Sequence, residues 1–189
     1  MSQQLRYARV VLKPLLELDQ QAWRRIHQHF RDPEIAHLNG TPPSRMPLWL
    51  LKRVLKADSR RSDRETFGIF DEQDAYIGTI ELYDISRGLA TMGIIIGERS
   101  HWGKGYGPEA IQALLGYTFH TLRLERVRLS TFADNLRAQA AFKKIGFVEV
   151  RRTSASGGRI DVQMQLYAQA WLERQQNLSH SISDLPRPW

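Results

Sequence analysis

Hydrophobic residues recur along this chain with two periods, and the switches between them mark out the elements. The segment Arg6–Leu12, ending in Val10-Val11-Leu12, reads as an opening strand. From Leu18-Asp19 the period turns helical and predicts a helix to about Phe30; after the Pro42-Pro43 break a second helical stretch covers Leu48–Lys56. Alternation appears in Glu65–Phe70 and Ala75–Tyr83, and the polar run Asp71-Glu72-Gln73-Asp74 between them predicts a β-hairpin. Gly93-Ile94-Ile95-Ile96-Gly97-Glu98 is apolar, β-branched and bounded by glycines, the pattern of a buried strand. Ala110, Ile111, Leu114, Leu115 and Phe119 then fall at helical spacing behind Pro108, which the first turn of a helix tolerates. Val127–Phe132 reads as a strand, Leu136 to Lys144 as a helix stopped by Gly146-Phe147. Phe147–Thr153 and Arg159–Tyr167, joined through Gly157-Gly158, form a second hairpin, and a short helix near Ala168–Gln175 closes the series.

These elements belong to one core. The chain has 189 residues, 42% of them hydrophobic, with no long linker and no internal repeat. Residues 1–4 read as an N-terminal tail. Residues 173–189 are polar and proline-bearing, which reads as a tail that is disordered or docked on a partner subunit. Zero cysteines exclude a disulfide framework, a thiolate zinc site and a cysteine nucleophile. No stretch is apolar enough to span a bilayer and the N-terminus lacks a signal-like apolar region, so a cytoplasmic location is expected. The net charge of +7 invites nucleic acid, but Arg60-Arg61, Arg64 and Arg151-Arg152 sit on different elements and no RNA-binding aromatic motif or helix-turn-helix organises them. A small polyanionic ligand is the simpler use of the charge.

The candidate chemistry lies in His101-Trp102-Gly103-Lys104-Gly105-Tyr106-Gly107-Pro108-Glu109-Ala110. Glycine permits φ > 0 and close backbone approach, so several N–H groups can converge on an anion where a helix dipole begins. A pyrophosphate suits such a cradle. The ATP-type loop is excluded, because Tyr106 and Pro108 stand where Lys and Ser or Thr would follow the last glycine. The dinucleotide fingerprint fails on spacing, G-x-G-x-G against G-x-G-x-x-G.

With the strand before it and the β-α-β run after it, this segment resembles the GNAT superfamily of acetyl-CoA-dependent N-acetyltransferases. The resemblance rests on GTIELYDI, GIIIGERSHWGKGYGPEA and FADNLRAQAAFKKIGF, in that order, and covers roughly Leu5 to Leu172. Within the superfamily the chain is similar to the branch holding the bacterial ribosomal-protein N-terminal acetyltransferases and their spermidine- and antibiotic-modifying relatives. The resemblance implies a single α/β (α+β) domain with a mixed, mostly antiparallel sheet whose central strands splay apart to admit pantetheine. It implies direct transfer of acetyl from acetyl-CoA to a primary amine, a protein N-terminus or a small molecule, in a ternary complex without a metal. Backbone groups of Ile94, Ile95 and Ile96 would pair with pantetheine, and an N–H there would polarise the thioester carbonyl. Trp102, Gly103, Lys104, Gly105, Tyr106 and Gly107 would hold the pyrophosphate. Ala138 to Lys143, with Phe142 among them, would flank the far end. Asn135 matches a cofactor-contacting position and is equally well explained as a helix N-cap. A homodimer is common in the family, and Trp171 or Trp189 could serve it.

Two positions depart from that pattern. Phe142 stands where many relatives carry a Tyr to protonate the leaving thiolate, and Thr91 where many carry a Glu base. Either other groups and water run the chemistry, or the chain is an acyl-CoA-binding regulatory module without catalysis. Candidates for the base are Glu98 and His101, with Glu81 and Asp84 behind them; His101 has the side-chain type whose pKa lies nearest neutrality. The region from Asp19 to Lys56, expected to wall the acceptor, carries Trp23, Arg24, Arg25, His27, His29, Arg31 and Trp49 and shows no strongly acidic pocket for a polyamine.

Overall fold

The computed structural model describes residues 3–183, with side chains through Asn177. The chain opens with β1 (Leu5–Tyr7) and β2 (Val10–Pro14), an antiparallel pair with Tyr7 opposite Val10. A single strand over Arg6–Leu12 is therefore replaced by a hairpin. Ala8 takes φ +48°, the left-handed turn conformation, so the chain reverses inside the segment read as one strand. Three helices follow: α1 (Gln20–Arg31), α2 (Pro33–Leu38) and α3 (Leu48–Asp58). Asp19 caps α1 by accepting the Ala22 N–H at 2.8 Å. The helix α2 was absent from the periodic pattern, yet it carries its own start signal, Asp32 accepting from the Glu34 and Ile35 amides with Pro33 in the first turn.

The rest alternates strand and helix. It comprises β3 (Glu65–Phe70), β4 (Tyr76–Ser86), β5 (Leu89–Ile96), α4 (Tyr106–Gly116), β6 (Arg126–Phe132), α5 (Leu136–Ile145), β7 (Val148–Ser154), β8 (Ile160–Tyr167) and α6 (Ala168–Ser183). A π-turn over Tyr117–Thr121 continues α4. The closing helix runs on to Ser183 instead of stopping near Gln175, so the polar segment read as a tail is helical as far as it is described; Trp189 lies outside the described residues. Trp171, offered above as a dimer contact, is a core residue. It is buried against Phe119, and its indole donates to Gln112 Oε1 at 2.8 Å.

The eight strands form one sheet in the order β1-β2-β3-β4-β5-β6-β8-β7, every neighbouring pair antiparallel except β5 with β6. That parallel pair is short. Leu89, Ala90 and Thr91 face Arg126, Val127 and Arg128, and there the pairing ends. Beyond it β5 stays bonded to β4 as far as Ile96, while β6 stays bonded to β8 as far as Phe132. The sheet therefore forks, which is the splay the family resemblance implies. One face carries the main core, where Ile80, Leu82, Met92, Leu129 and Met164 meet Ile111, Leu114 and Leu115 of α4, Phe142 and Ile145 of α5, and Trp171 of α6. On the opposite face α1 and α3 pack over β3 and β4 through Trp23, Ile26, Leu51, Phe70 and Tyr76. Full burial of such side chains contributes about 1.5–3 kcal/mol each, so the sheet is anchored by packed helices on both faces. Among the described residues no helix is long and apolar enough to cross a membrane.

Candidate active site

A cleft of about 330 Å³ occupies the fork. Its walls are Ile94, Ile95 and Ile96 from β5, Trp102, Gly103, Gly105 and Gly107 from the glycine loop, and Asn135, Ala138 and Phe142 from the start and inner side of α5. The loop earns its glycines by geometry at Gly105, whose φ of +93° is closed to most side chains. No side chain caps α4, and Pro108 has no N–H, so the first-turn amides stay available to an anion in the cleft. Behind the loop Arg9, at the tip of the opening hairpin, donates to the Lys104 carbonyl at 2.8 Å, while its amide and guanidinium bind the Glu109 carboxylate. Tyr106 is buried beneath the loop, its hydroxyl on Glu72 and its ring under the Arg9 guanidinium. Lys104, Tyr106 and Lys143 consequently do not line the cleft, although all three flank it in sequence; Lys144 does.

Trp102 spans the mouth. Its indole N–H donates to the Ile96 carbonyl at 2.7 Å, and the Arg137 guanidinium lies 3.8 Å from the centre of its ring. Asn135 is the cap of α5, its Oδ1 accepting the Ala138 amide, and it also lines the cleft. Gln139, unnoticed in the sequence, is buried and donates to the carbonyls of Phe132 and Ala133, fixing the turn between β6 and α5. The end of the fork is bridged by α2 and the residues after it. Ile35, Leu38 and Asn39 line the cleft, Arg159 donates to the His37 carbonyl and to Asp134, and Gly40 sits so close to Phe132 that a Cβ would fall 2.5 Å from the ring.

The side chains named as bases have other engagements. Glu98 accepts from Arg25 and, at 3.1 Å, from His29, and does not line the cleft. Burial raises its pKa, but the hydrogen bonds and charges of Arg25 and His29 outweigh that and hold Glu98 below the usual carboxylate range. Burial lowers the pKa of His29, whose ring stacks on Tyr76 and presses so closely on Gly97 that a Cβ there would lie 2.0 Å from Nδ1. His101 lines the cleft, but its Nε2 is within 3.1 Å of the buried Asp71 carboxylate and its Nδ1 within 3.0 Å of the Ser100 hydroxyl. Thr91 accepts from Arg128 Nε at 2.9 Å, and Phe142 packs edge-on against Phe147.

Glu81 does not line the cleft either and is paired with Arg64, but it differs from Glu98 in that its pKa is raised, not lowered. It lies opposite Gly93 on β5, two residues past Thr91 where the β5–β6 pairing ends, and a Cβ on Gly93 would sit 3.3 Å from its carboxylate oxygen. Burial raises its pKa, partly offset by Arg64, which donates to it at 2.7 Å and also pairs with Asp58. Asp84 is exposed near the end of β4, where the register with β5 shifts, and takes φ +52°. Among the described residues no group of three His, Asp or Glu side chains is arranged to hold a metal ion.

Comparison with known proteins agrees with this geometry. The family model for the acetyltransferase (GNAT) domain matches residues 9–148. An uncharacterized N-acetyltransferase, p20 of Bacillus licheniformis, is 31% identical over 147 residues, 72% of this chain and 82% of that protein. The probable N-acetyltransferase YjcK of Bacillus subtilis is 34% identical over 102 residues, which span 51% of this chain and 56% of YjcK. In fold, the spermidine N-acetyltransferase of Vibrio cholerae, solved in complex with CoA and spermine, superimposes with a TM-score of 0.78 at 23% identity, covering 87% of this chain and 98% of that one. Forked sheet, glycine cradle and family model converge, and the chain belongs to the GNAT acetyltransferases, N-acetyltransferases that draw their acetyl group from acetyl-CoA.

Proposed function

We propose that this protein acetylates a primary amine other than a polyamine, by direct attack on bound acetyl-CoA, with Glu81 as the proton acceptor. Transfer needs a neutral amine: its nitrogen bonds to the acetyl carbonyl carbon, the C–S bond breaks, and the electron pair leaves on sulfur. The proton released from nitrogen passes to Glu81, whose carboxylate stands at the crotch of the fork with its pKa raised by burial, as suits a base working near neutrality. Backbone N–H groups along Ile94–Ile96 are the groups of β5 that face developing negative charge on the carbonyl oxygen. No tyrosine protonates the thiolate at Phe142, and water serves instead, because a coenzyme thiolate leaves readily. The first-turn amides of α4, Arg137 and Lys144 are the groups for the phosphates of the coenzyme.

The single observation that carries the choice of acceptor is the charge on the α1–α3 wall. Its acids are Asp19, Asp32, Glu34 and Asp58, against Arg24, Arg25, Arg31, Arg45, Lys52, Arg53 and Lys56. Every one of these acids is engaged: Asp19 caps α1, Asp32 and Glu34 hold Arg99, and Asp58 holds Arg64. A polycation would meet like charge there, whereas a compact amine, free or at a protein N-terminus, would not. Calorimetric titration with acetyl-CoA followed by turnover of an amine panel tests the reading. Glu81→Gln should leave acetyl-CoA affinity unaltered and lower kcat by about 10²–10⁴-fold, with the rise in rate on the acidic side of the pH profile abolished. Unchanged turnover in that variant would place the base elsewhere. Tight acetyl-CoA binding with no amine accepted would favour an acyl-CoA-binding module.

A further inference from the structure

Strand register aligns Tyr83, Thr91, Arg128 and Gln165 as directly opposed residues across β4, β5, β6 and β8. This is the last continuous row before the fork, and on the face away from α4. One step further on, Glu81 is opposite Gly93 on one prong and Ser130 opposite Gln163 on the other. The two helices of this face pack over β3 and β4, and Arg128 and Ser130 on β6 are exposed. Arg128 Nε is spent on Thr91, which leaves the terminal nitrogens of its planar fork free to bind. Its charge is felt in the row, since it favours ionisation of the Tyr83 hydroxyl against the dominant effect of burial.

Arg128 also differs from most arginines around the site, Arg137 on Trp102 being another that has no ion pair among the described residues. Arg9, Arg25, Arg64, Arg99 and Arg159 each have a carboxylate, in Glu109, Glu98, Glu81 with Asp58, Asp32 with Glu34, and Asp134 respectively. Among the described residues Arg128 has no carboxylate within ion-pair distance. A guanidinium of this kind binds a carboxylate through two parallel hydrogen bonds. Thr91 and Gly93 are two residues apart, about 6.6 Å along the strand, so one small molecule can reach from Arg128 to the gap beside Glu81.

We infer that the acceptor is a small amine that also bears a carboxylate, an amino acid or close derivative, with Arg128 holding the carboxylate and its amine presented beside Glu81 and Gly93. The inference rests on the transferase reading and narrows its substrate. The amine nitrogen takes the acetyl group, its proton goes to Glu81, and the carboxylate remains unreacted on Arg128 throughout.

The test measures kcat/KM with acetyl-CoA for amino acids and for the corresponding amino acid amides, with spermidine as a third acceptor. The wild type should prefer acids over their amides by about 10-fold to 100-fold, the range expected for one charge-assisted pair. In Arg128→Gln that ratio should fall to near one while calorimetric affinity for acetyl-CoA stays the same, and Arg128→Lys should restore part of it. Equal use of acids and amides by the wild type, preference for spermidine, or a ratio that survives Arg128→Gln would each overturn the inference and leave the transferase intact. Failure of every acceptor with acetyl-CoA still bound would overturn the transferase reading and this inference together.

Discussion

Replacing Gly107 by alanine separates what the glycine loop does for the fold from what it does for the ligand. Gly107 is the second residue of α4 and has no positive φ, so alanine is compatible with its backbone. A Cβ there would meet only Ile96 Cγ1, at 3.8 Å, an ordinary contact. Within the protein the change is therefore neutral or favourable, by up to about 0.5–1 kcal/mol from helix propensity. The new methyl group nevertheless enters the cleft that Gly107 and Ile96 line together. If the first-turn amides must touch a phosphate group, one methyl at that surface should weaken acetyl-CoA by at least about tenfold, or about 1.4 kcal/mol. Gly105→Val provides the contrast: at φ +93° a side chain costs about 1–2 kcal/mol in conformation alone and also crowds Arg9, 3.3 Å from where its Cβ would be. Urea denaturation and acetyl-CoA titration of both variants read the two effects separately. A Gly107→Ala protein as stable as the parent that binds acetyl-CoA with unchanged affinity refutes the cradle.

Two other outcomes follow from the site. Phe142→Tyr, at a wall position packed on Phe147, should keep acetyl-CoA affinity and maintain or raise kcat by supplying a proton donor to the thiolate; a large fall in rate would show that the wall is shaped around Phe. Stability should decline as pH drops through the ordinary histidine range near 6.5, because burial lowers the pKa of His29 and the unfolded chain then binds the extra proton. The stabilisation is complete above that range and is lost on the way down to the folded value. Glu98, held low, adds its own loss only in the carboxylate range near 4.3 and below. Denaturant midpoints at pH 8, 6.5 and 5 measure the decline, and a His29 protein no more sensitive than His29→Gln across that interval would remove its basis.

Most elements were legible because local pattern and tertiary role agree in them. The Ile94–Ile96 strand, the helix behind Pro108 and the cap and stop of α5 occur where their residues point. The exceptions have local causes. A hairpin hid inside one apparent strand because its reversal depends on one alanine at positive φ, with no Gly, Asn or Asp to mark the turn, and six-residue α2 is too short for a period to show, though Asp32-Pro33 announced it. The closing helix outran its prediction because its outer turns are polar, while its packing against the core comes from Ala168, Trp171 and Leu172 near the start.

The cradle and the base differ in legibility for a more basic reason. A backbone anion site is made by consecutive residues, so its glycines and the following helix announce it in one stretch of chain. A proton acceptor is defined by what surrounds it, and the surroundings come from afar. Glu98 and His101 stand beside the cradle in sequence, but Arg25, His29 and Asp71 arrive from other elements and occupy them. Glu81 alternates with Ile80 and Leu82, which reveals that it faces away from the core but not that Gly93 will lie across from it. Gly93 has no side chain to shield that carboxylate, and the last β5–β6 pair lies two residues earlier at Thr91, so the sheet itself opens next to Glu81. The same fork leaves Arg128 without a neighbouring acid. The cleft and the proposed roles of Glu81 and Arg128 thus all turn on one topological event, the end of a three-residue parallel pairing.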